Sequence, residues 1–258
     1  MKSRLNKLYS DNRKASARRF EVVAKDDANE VDIFLYDQIV SSEDEAEWWG
    51  GVAPESFVKA VYAVDKQATI NLRVNSPGGS VFAARAMEQA LRAHKGRVVV
   101  HIDGLAASAA TFIAMAGDEV IMSKGAMFMI HKAWTGMWGN AEDLRKEAEL
   151  LDKIDGTLAD TYAEKTGKEV SAISEWMAAE TWFTAQEALD AGFATSIAEA
   201  EAKAGAWNLS AYDNAPKMDR APTPAPDKAP APEPEAMASA DHRDRQQQRL
   251  RVLSLLNQ

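Results

Sequence analysis

Along most of the chain the apolar residues recur at two spacings, and the segments alternate between them. Glu30 to Tyr36 (EVDIFLY) alternates apolar and polar residues, as a half-buried strand does. Asp37 to Glu45 is polar and turn-like, and Trp48-Trp49-Gly50-Gly51-Val52 leads to a helix from about Pro54 to Val64. Pro54 stands early in that helix, where a missing N–H is tolerated. Thr69 to Val74 reads as a second strand. Ser80 to His94 then carries Val81, Ala84, Met87, Ala90 and Leu91 at helical spacing. Val98 to Asp103 is a third strand, Ala109 to Ala116 a buried helix of small and apolar residues, and Ala126 to Ile130 a short apolar strand. A long amphipathic helix follows from Asn140 to Lys165, with Leu144, Ala148, Leu151, Leu158 and Tyr162 on one stripe. Asn140 caps its start and Gly167 stops it. Shorter helices are expected over Ser171 to Ala178 and from the Thr184-Ala185-Gln186-Glu187 capping box to Gly192. Strands alternating with helices predict an α/β fold.

Candidate chemistry collects at three junctions of this pattern. Ser108 lies between a strand and a helix, among alanines that leave room for a substrate carbonyl, and its helix presents the Ala109 amide to charge developing beside it. His131 ends the next apolar strand. If the two strands are neighbours in one sheet, serine and histidine meet at the same edge. The turn Asn75-Ser76-Pro77-Gly78-Gly79 joins a strand to a helix, and its glycines expose backbone N–H groups able to hold an oxyanion. Each signal alone fits ordinary packing; their order raises the odds of a catalytic site. Lys132 also lies near, but strand alternation places it on the face opposite His131.

Composition narrows the picture. The 258 residues include no cysteine, which excludes disulfides, thiolate metal sites and a cysteine nucleophile. The histidines His94, His101, His131 and His242 show no metal-ligand spacing. A net charge of -9 argues against general nucleic-acid binding. No apolar run suits a signal peptide or a membrane span, so a soluble protein is expected. Residues 1–29 read as a flexible basic arm and 30–206 as the folded domain. Residues 207–240 read as a disordered Pro/Ala-rich linker, with seven of the nine prolines between Pro216 and Pro234. Residues 241–258 form a short candidate helix through Leu250, Leu253, Leu255 and Leu256; a docking peptide, a self-cleaved tail and an inert end all fit it. Trp48 and Trp49 suit core or a subunit contact.

The motifs NSPGG, GLAASAA, MIH and ETWFTAQEALDAGFA, in this order over roughly residues 30 to 200, resemble the Clp protease proteolytic subunit family. Within it the chain is most similar to phage and prophage ClpP-related head maturation proteases. The resemblance implies the repeated strand-strand-helix fold shared with crotonases, with the long helix as a handle, together with serine endopeptidase activity and ring-shaped homo-oligomers. It implies Ser108 as nucleophile, His131 as general base, and Gly79 and Ala109 as oxyanion donors. Gly78 and Trp134, with Trp138 nearby, would line the substrate groove. The family's aspartate position is occupied here by Glu180, a departure that a serine hydrolase can accommodate; Asp152 and Asp155 are competing carboxylates.

Substrates would be phage capsid or scaffold proteins, and the setting the host cytoplasm or the interior of a prohead. No cofactor, nucleic acid or membrane partner is implied, and with no Walker A motif any ATP dependence would need a separate partner. Three alternatives stay open: a catalytically inactive ring subunit, a protease-scaffold fusion acting in capsid assembly, and a crotonase-type acyl-CoA-binding protein.

Overall fold

The computed structural model describes residues 3–16, 18–25, 29–201 and 207–216. Its first elements are helix α1 (Arg4–Asn12), strands β1 (Arg19–Lys25) and β2 (Glu30–Tyr36), and helices α2 (Glu43–Trp49) and α3 (Pro54–Ala63). Strand β3 (Thr69–Ser76), α4 (Val81–Ala93), β4 (Val98–Ala107), α5 (Ala109–Ala114), β5 (Glu119–Lys124) and β6 (Met127–Ile130) follow. The last are α6 (Ala141–Thr166), α7 (Val170–Ala178), β7 (Thr181–Thr184), α8 (Ala185–Ala191) and β8 (Ser196–Glu201).

The strands form one sheet in the order β1-β2-β3-β4-β5-β8, parallel from β2 to β8 with β1 antiparallel at its edge. Parallel neighbours require crossovers, and the intervening helices supply them. Strand β4 is the hub. Its first half pairs with β5, from Val99↔Glu119 to Ile102↔Met122, and its second half with β6, from Leu105↔Met127 to Ala107↔Met129. Apart from half-buried His101, the whole of β4 is buried, which explains its nearly unbroken run of small and apolar residues. Strand β6 turns away from β5 and pairs antiparallel with β7.

Ile33, Leu35, Ile70, Leu72, Val74, Val100 and Ile102 are fully buried at the centre of the core. Side chains of this kind contribute about 1.5–3 kcal/mol each relative to exposure. Helix α4 adds Ala84, Met87 and Leu91, the stripe visible in its sequence. Helix α6 carries the expected caps: a capping box between Asn140 and Asp143, and Gly167 in left-handed conformation. Only Leu158, Ala159 and Tyr162 of that helix are buried, whereas Leu144 and Leu150 are exposed. Its apolar stripe is therefore used by the core at the C-terminal end alone.

Three expectations change. The basic arm contains α1, which buries Leu8, Tyr9 and Asn12 and is capped by Ser3, and β1, which pairs along its whole length with β2. Leu5, Leu8 and Tyr9 supply a helical stripe beneath the basic composition. Residues 207–216, assigned to a disordered linker, are packed: Trp207, Leu209, Ala211 and Tyr212 are buried against Leu8, Leu105, Ala107 and Met129. The tryptophan pair divides, with Trp48 63% exposed and Trp49 packed beside Tyr9, Val40 and Ala53. The remainder of the expected linker and the 241–258 helix lie outside the described residues. Among the described residues no helix is long and apolar enough to cross a membrane.

Candidate active site

Strand β4 ends at Ala107 and α5 begins at Ala109, so Ser108 is the whole of the turn between them. Its backbone is left-handed (φ 54°, ψ -125°), a conformation that costs a non-glycine residue about 1–3 kcal/mol. A chain of hydrogen bonds holds it. Its N–H donates to the Met129 carbonyl (2.8 Å), its own carbonyl accepts from Thr111 Oγ1 (2.5 Å), and Tyr162 Oη lies 2.7 Å from that same Thr111 oxygen. With its hydroxyl committed to the Ser108 carbonyl, Thr111 accepts from Tyr162, so α6 braces the serine turn. Ala107, Ala109 and Ala110 are all buried around it.

Because β6 lies beside the second half of β4, the residue after β6 falls next to the residue after β4. His131 Nε2 is 2.7 Å from Ser108 Oγ. For the hydroxyl to donate, Nε2 must be unprotonated and the ring proton must sit on Nδ1. That Nδ1 is buried and has no hydrogen-bond partner among the described residues. Burial, followed by the positive charge of Arg4, pushes the His131 pKa down to about 3, against a smaller opposing effect of the Lys132 backbone. The imidazole is thus neutral at physiological pH, the form a base requires.

The glycine turn abuts this pair. Gly78 has φ 88°, and a Cβ there would stand 2.5 Å from the Ala107 carbonyl and 2.8 Å from Ser108 Cβ. Gly79 has φ 149°, and its Cβ would stand 1.9 Å from the Ile39 carbonyl. Ile39 donates to the Gly78 carbonyl and accepts from the Ser80 N–H, both at 2.9 Å. In a parallel pairing of this kind the Gly79 N–H points away from Ile39. A cavity of about 170 Å³ opens beside Gly79, Ser108, Ala109 and His131, walled by Phe82, Phe112, Leu150, Leu151, Ile154 and Leu158. Trp134 stacks at a tilt on His131, with centroids 4.4 Å apart, whereas Trp138 is 84% exposed and away from the cavity wall.

Glu180 is turned elsewhere. It follows α7 with φ 49°. Its Oε1 accepts from the Asn214 N–H (2.7 Å) and from Trp182 Nε1 (3.4 Å), and its Oε2 accepts from the Asp213 N–H (3.1 Å). Among the described residues it makes no hydrogen bond to His131. Asp155 accepts from the Ala133 N–H at 2.8 Å, pinning the backbone just beyond His131, and burial raises its pKa. Lys132 faces Asp155 at 4.0 Å and is not part of the pair. The structure therefore brings together Ser108, His131, Gly78, Gly79, Ala109 and Trp134, and hands Glu180 to the C-terminal segment.

Sequence reasoning missed that segment. Tyr212 donates to the Pro77 carbonyl (2.5 Å) and Trp207 Nε1 donates to Asn75 Oδ1 (3.1 Å), both on the glycine turn. The Tyr212 ring packs on His131, Trp134 and Trp182 at 5.4, 4.9 and 5.9 Å. The signal was present as Trp207, Leu209 and Tyr212, three bulky residues just ahead of the prolines.

A hydroxyl bonded to a neutral imidazole, with backbone amides to one side and an apolar cavity to the other, suits acyl transfer. Among the described residues no cluster of His, Cys, Asp and Glu could hold a metal ion. The Clp protease family model matches residues 28–201. The ATP-dependent Clp protease proteolytic subunit 1 of Leifsonia xyli is 34% identical over 139 residues, 53% of this chain and 71% of that protein. The ATP-dependent Clp protease proteolytic subunit of Streptococcus agalactiae is 35% identical over 141 residues, 53% and 72% of the two chains. Among solved structures, a mutant ClpP1 from Listeria monocytogenes superposes with a TM-score of 0.56 at 22% identity, covering 65% of this chain and 91% of that one; it shows the ClpP-like fold. With the matched region spanning most of the sheet and both halves of the serine-histidine pair, the chain belongs to the Clp protease family of serine-type peptidases.

Proposed function

We propose that this chain is a serine endopeptidase that works through an acyl-enzyme on Ser108. The observation that carries the reading is the 2.7 Å contact between Ser108 Oγ and His131 Nε2 at a strained strand-to-helix turn. Ser108 Oγ attacks the peptide carbonyl while His131 Nε2 takes its proton. The N–H groups of Gly79 and Ala109 hold the tetrahedral oxyanion, and each such donor contributes about 2.7–4 kcal/mol to the transition state. His131 returns the proton to the leaving amine, and water then releases the acyl group by the same route. The apolar cavity beside Ser108 favours an apolar side chain next to the scissile bond.

The finer assignment is head maturation in a phage, with capsid or scaffold proteins as substrates, a homo-oligomeric ring as the working form, and the host cytoplasm or prohead interior as the setting. Similarity of the four motifs to phage and prophage members supports it. The test is cleavage of candidate capsid and scaffold proteins by the purified chain, read by mass spectrometry. Cleavage at discrete sites, absent with Ser108→Ala, is expected; intact substrates with a chain that hydrolyses other peptides would remove the phage role alone. A second reading, an inactive ring subunit, draws on the His131 Nδ1, which lacks a hydrogen-bond partner among the described residues. It predicts normal assembly with no hydrolysis of any peptide.

A further inference from the structure

Helix α1, strand β1 and the segment 207–216 lie outside the family-matched residues 28–201. Helix α1 and the segment 207–216 meet each other at the active site. Asn12 Nδ2 donates to the Asn208 carbonyl (2.9 Å), and Asn12 Oδ1 accepts from the Asn208 N–H (2.7 Å). Lys7 reaches Ser210 Oγ (2.6 Å). Arg4 pairs with Asp213 at 2.7 Å and lies over the Trp134 ring at 5.3 Å. The segment in turn is fixed to three catalytic-site elements. Trp207 and Tyr212 bond to the glycine turn, the Tyr212 ring is wedged against His131, Trp134 and Trp182, and the Asp213 and Asn214 N–H groups take both oxygens of Glu180. The carboxylate occupying the family's third position is consumed by the segment, while the ring nitrogen such a carboxylate would serve is buried and, among the described residues, unpartnered.

We infer that residues 207–216 are an autoinhibitory strap, clamped by α1, which keeps Glu180 from His131 and must leave the aromatic wedge before the serine-histidine pair is fully active. This rests on the serine-peptidase reading of the same site. On release, the Asp213 and Asn214 N–H groups turn to water, the Glu180 carboxylate is freed, and the face of His131 covered by Tyr212 is opened. A neutral imidazole whose Nδ1–H has no acceptor can accept the serine proton but gains no stabilisation of the imidazolium that results.

The test uses the full-length chain and two readouts, the rate at which a fluorophosphonate acylates Ser108 and amide hydrogen exchange across 207–216. Three variants loosen the strap: Tyr212→Ala removes the wedge, Asn214→Pro removes one N–H donor to Glu180, and Arg4→Ala removes the clamp at a largely exposed pair. If the open form is a minor state of a few per cent, freeing it raises the acylation rate by about 10- to 100-fold. Tyr212→Ala should give the largest rise, with faster exchange over the strap, and Ser108→Ala should abolish labelling in every background. Equal rates in wild type and all three variants, or a strap that stays protected without Tyr212, would overturn the inference while leaving the peptidase reading intact. Absence of labelling in every chain would overturn both.

Discussion

Ser108 and Glu180 are the two non-glycine residues with left-handed backbone among the described residues, at φ 54° and 49°, and their surroundings differ in kind. At Ser108 the strain is held from three sides by core elements, and it delivers the hydroxyl to His131. At Glu180 it delivers a carboxylate to the backbone of a terminal segment. One end of the imidazole is thus partnered by Ser108, and the other has no hydrogen-bond partner among the described residues. A strained residue marks a site, but only its partner says which state of the site is being seen.

Substitutions at the two residues and their neighbours separate the two surroundings. Ser108→Ala should reduce peptide hydrolysis by on the order of 10⁶-fold, whereas Ser108→Gly, equally inactive, should raise stability by about 1 kcal/mol in urea unfolding by relieving the positive φ. Gly79→Ala, whose Cβ would collide with the Ile39 carbonyl, should cost about 100- to 1,000-fold in kcat through the displaced donor, with a lower urea midpoint. Glu180→Gln should slow a strap-loosened Tyr212→Ala chain by roughly 100-fold or more. In the native background the same change should have a smaller net effect, because it weakens the strap as well as the triad. A double-mutant cycle on acylation rates measures the difference directly.

The pH behaviour follows from His131. Its folded pKa of about 3 lies below the ordinary value of 6.5, so between those values the unfolded chain binds a proton that the folded chain does not. The associated stability is present above pH 6.5 and is lost as the pH falls toward 3. The slope contributed by this one group is at most about 1.4 kcal/mol per pH unit. His131→Phe should flatten the change in urea midpoint between pH 7 and 5. Ser108, Trp134 and Tyr212 surround the ring and the charge of Arg4 acts on it; opening the strap removes Tyr212 and the anchor of Arg4. Imidazole NMR of Tyr212→Ala should therefore show His131 titrating closer to its ordinary range. The smallest effect expected is at the exposed Trp138, where alanine should change stability by less than about 0.5 kcal/mol; Trp134→Ala, which uncovers His131, should lower kcat measurably.

The α/β core was legible because its elements are regular. Helix α4 carries its full apolar stripe, Pro54 starts α3, Asn140 and Gly167 bracket α6, and the neighbouring strands ending at Ser108 and His131 do meet in one sheet. Strand β1 was hidden because nearly all of RFEVVAK is exposed and its charges mask the alternation. Strand β7, at four residues, has no period to read, whereas β6, equally short, was legible as an unbroken apolar run. Helix α1 and the strap were obscured by composition: basic residues overlie Leu5, Leu8 and Tyr9, and prolines follow directly on Trp207 to Tyr212. The position of Glu180 could be read, but not its direction. That depends on two backbone N–H groups more than thirty residues away in sequence, and backbone donors carry no side-chain signature.

The proposed peptidase activity rests on Ser108 and His131 acting as nucleophile and base. Intact mass after fluorophosphonate treatment of wild type, Ser108→Ala and His131→Ala tests that pair. A single adduct is expected on wild type, none on Ser108→Ala, and labelling slowed by at least about 100-fold in His131→Ala. An adduct that persists in Ser108→Ala, or equal labelling of wild type and His131→Ala, would contradict it.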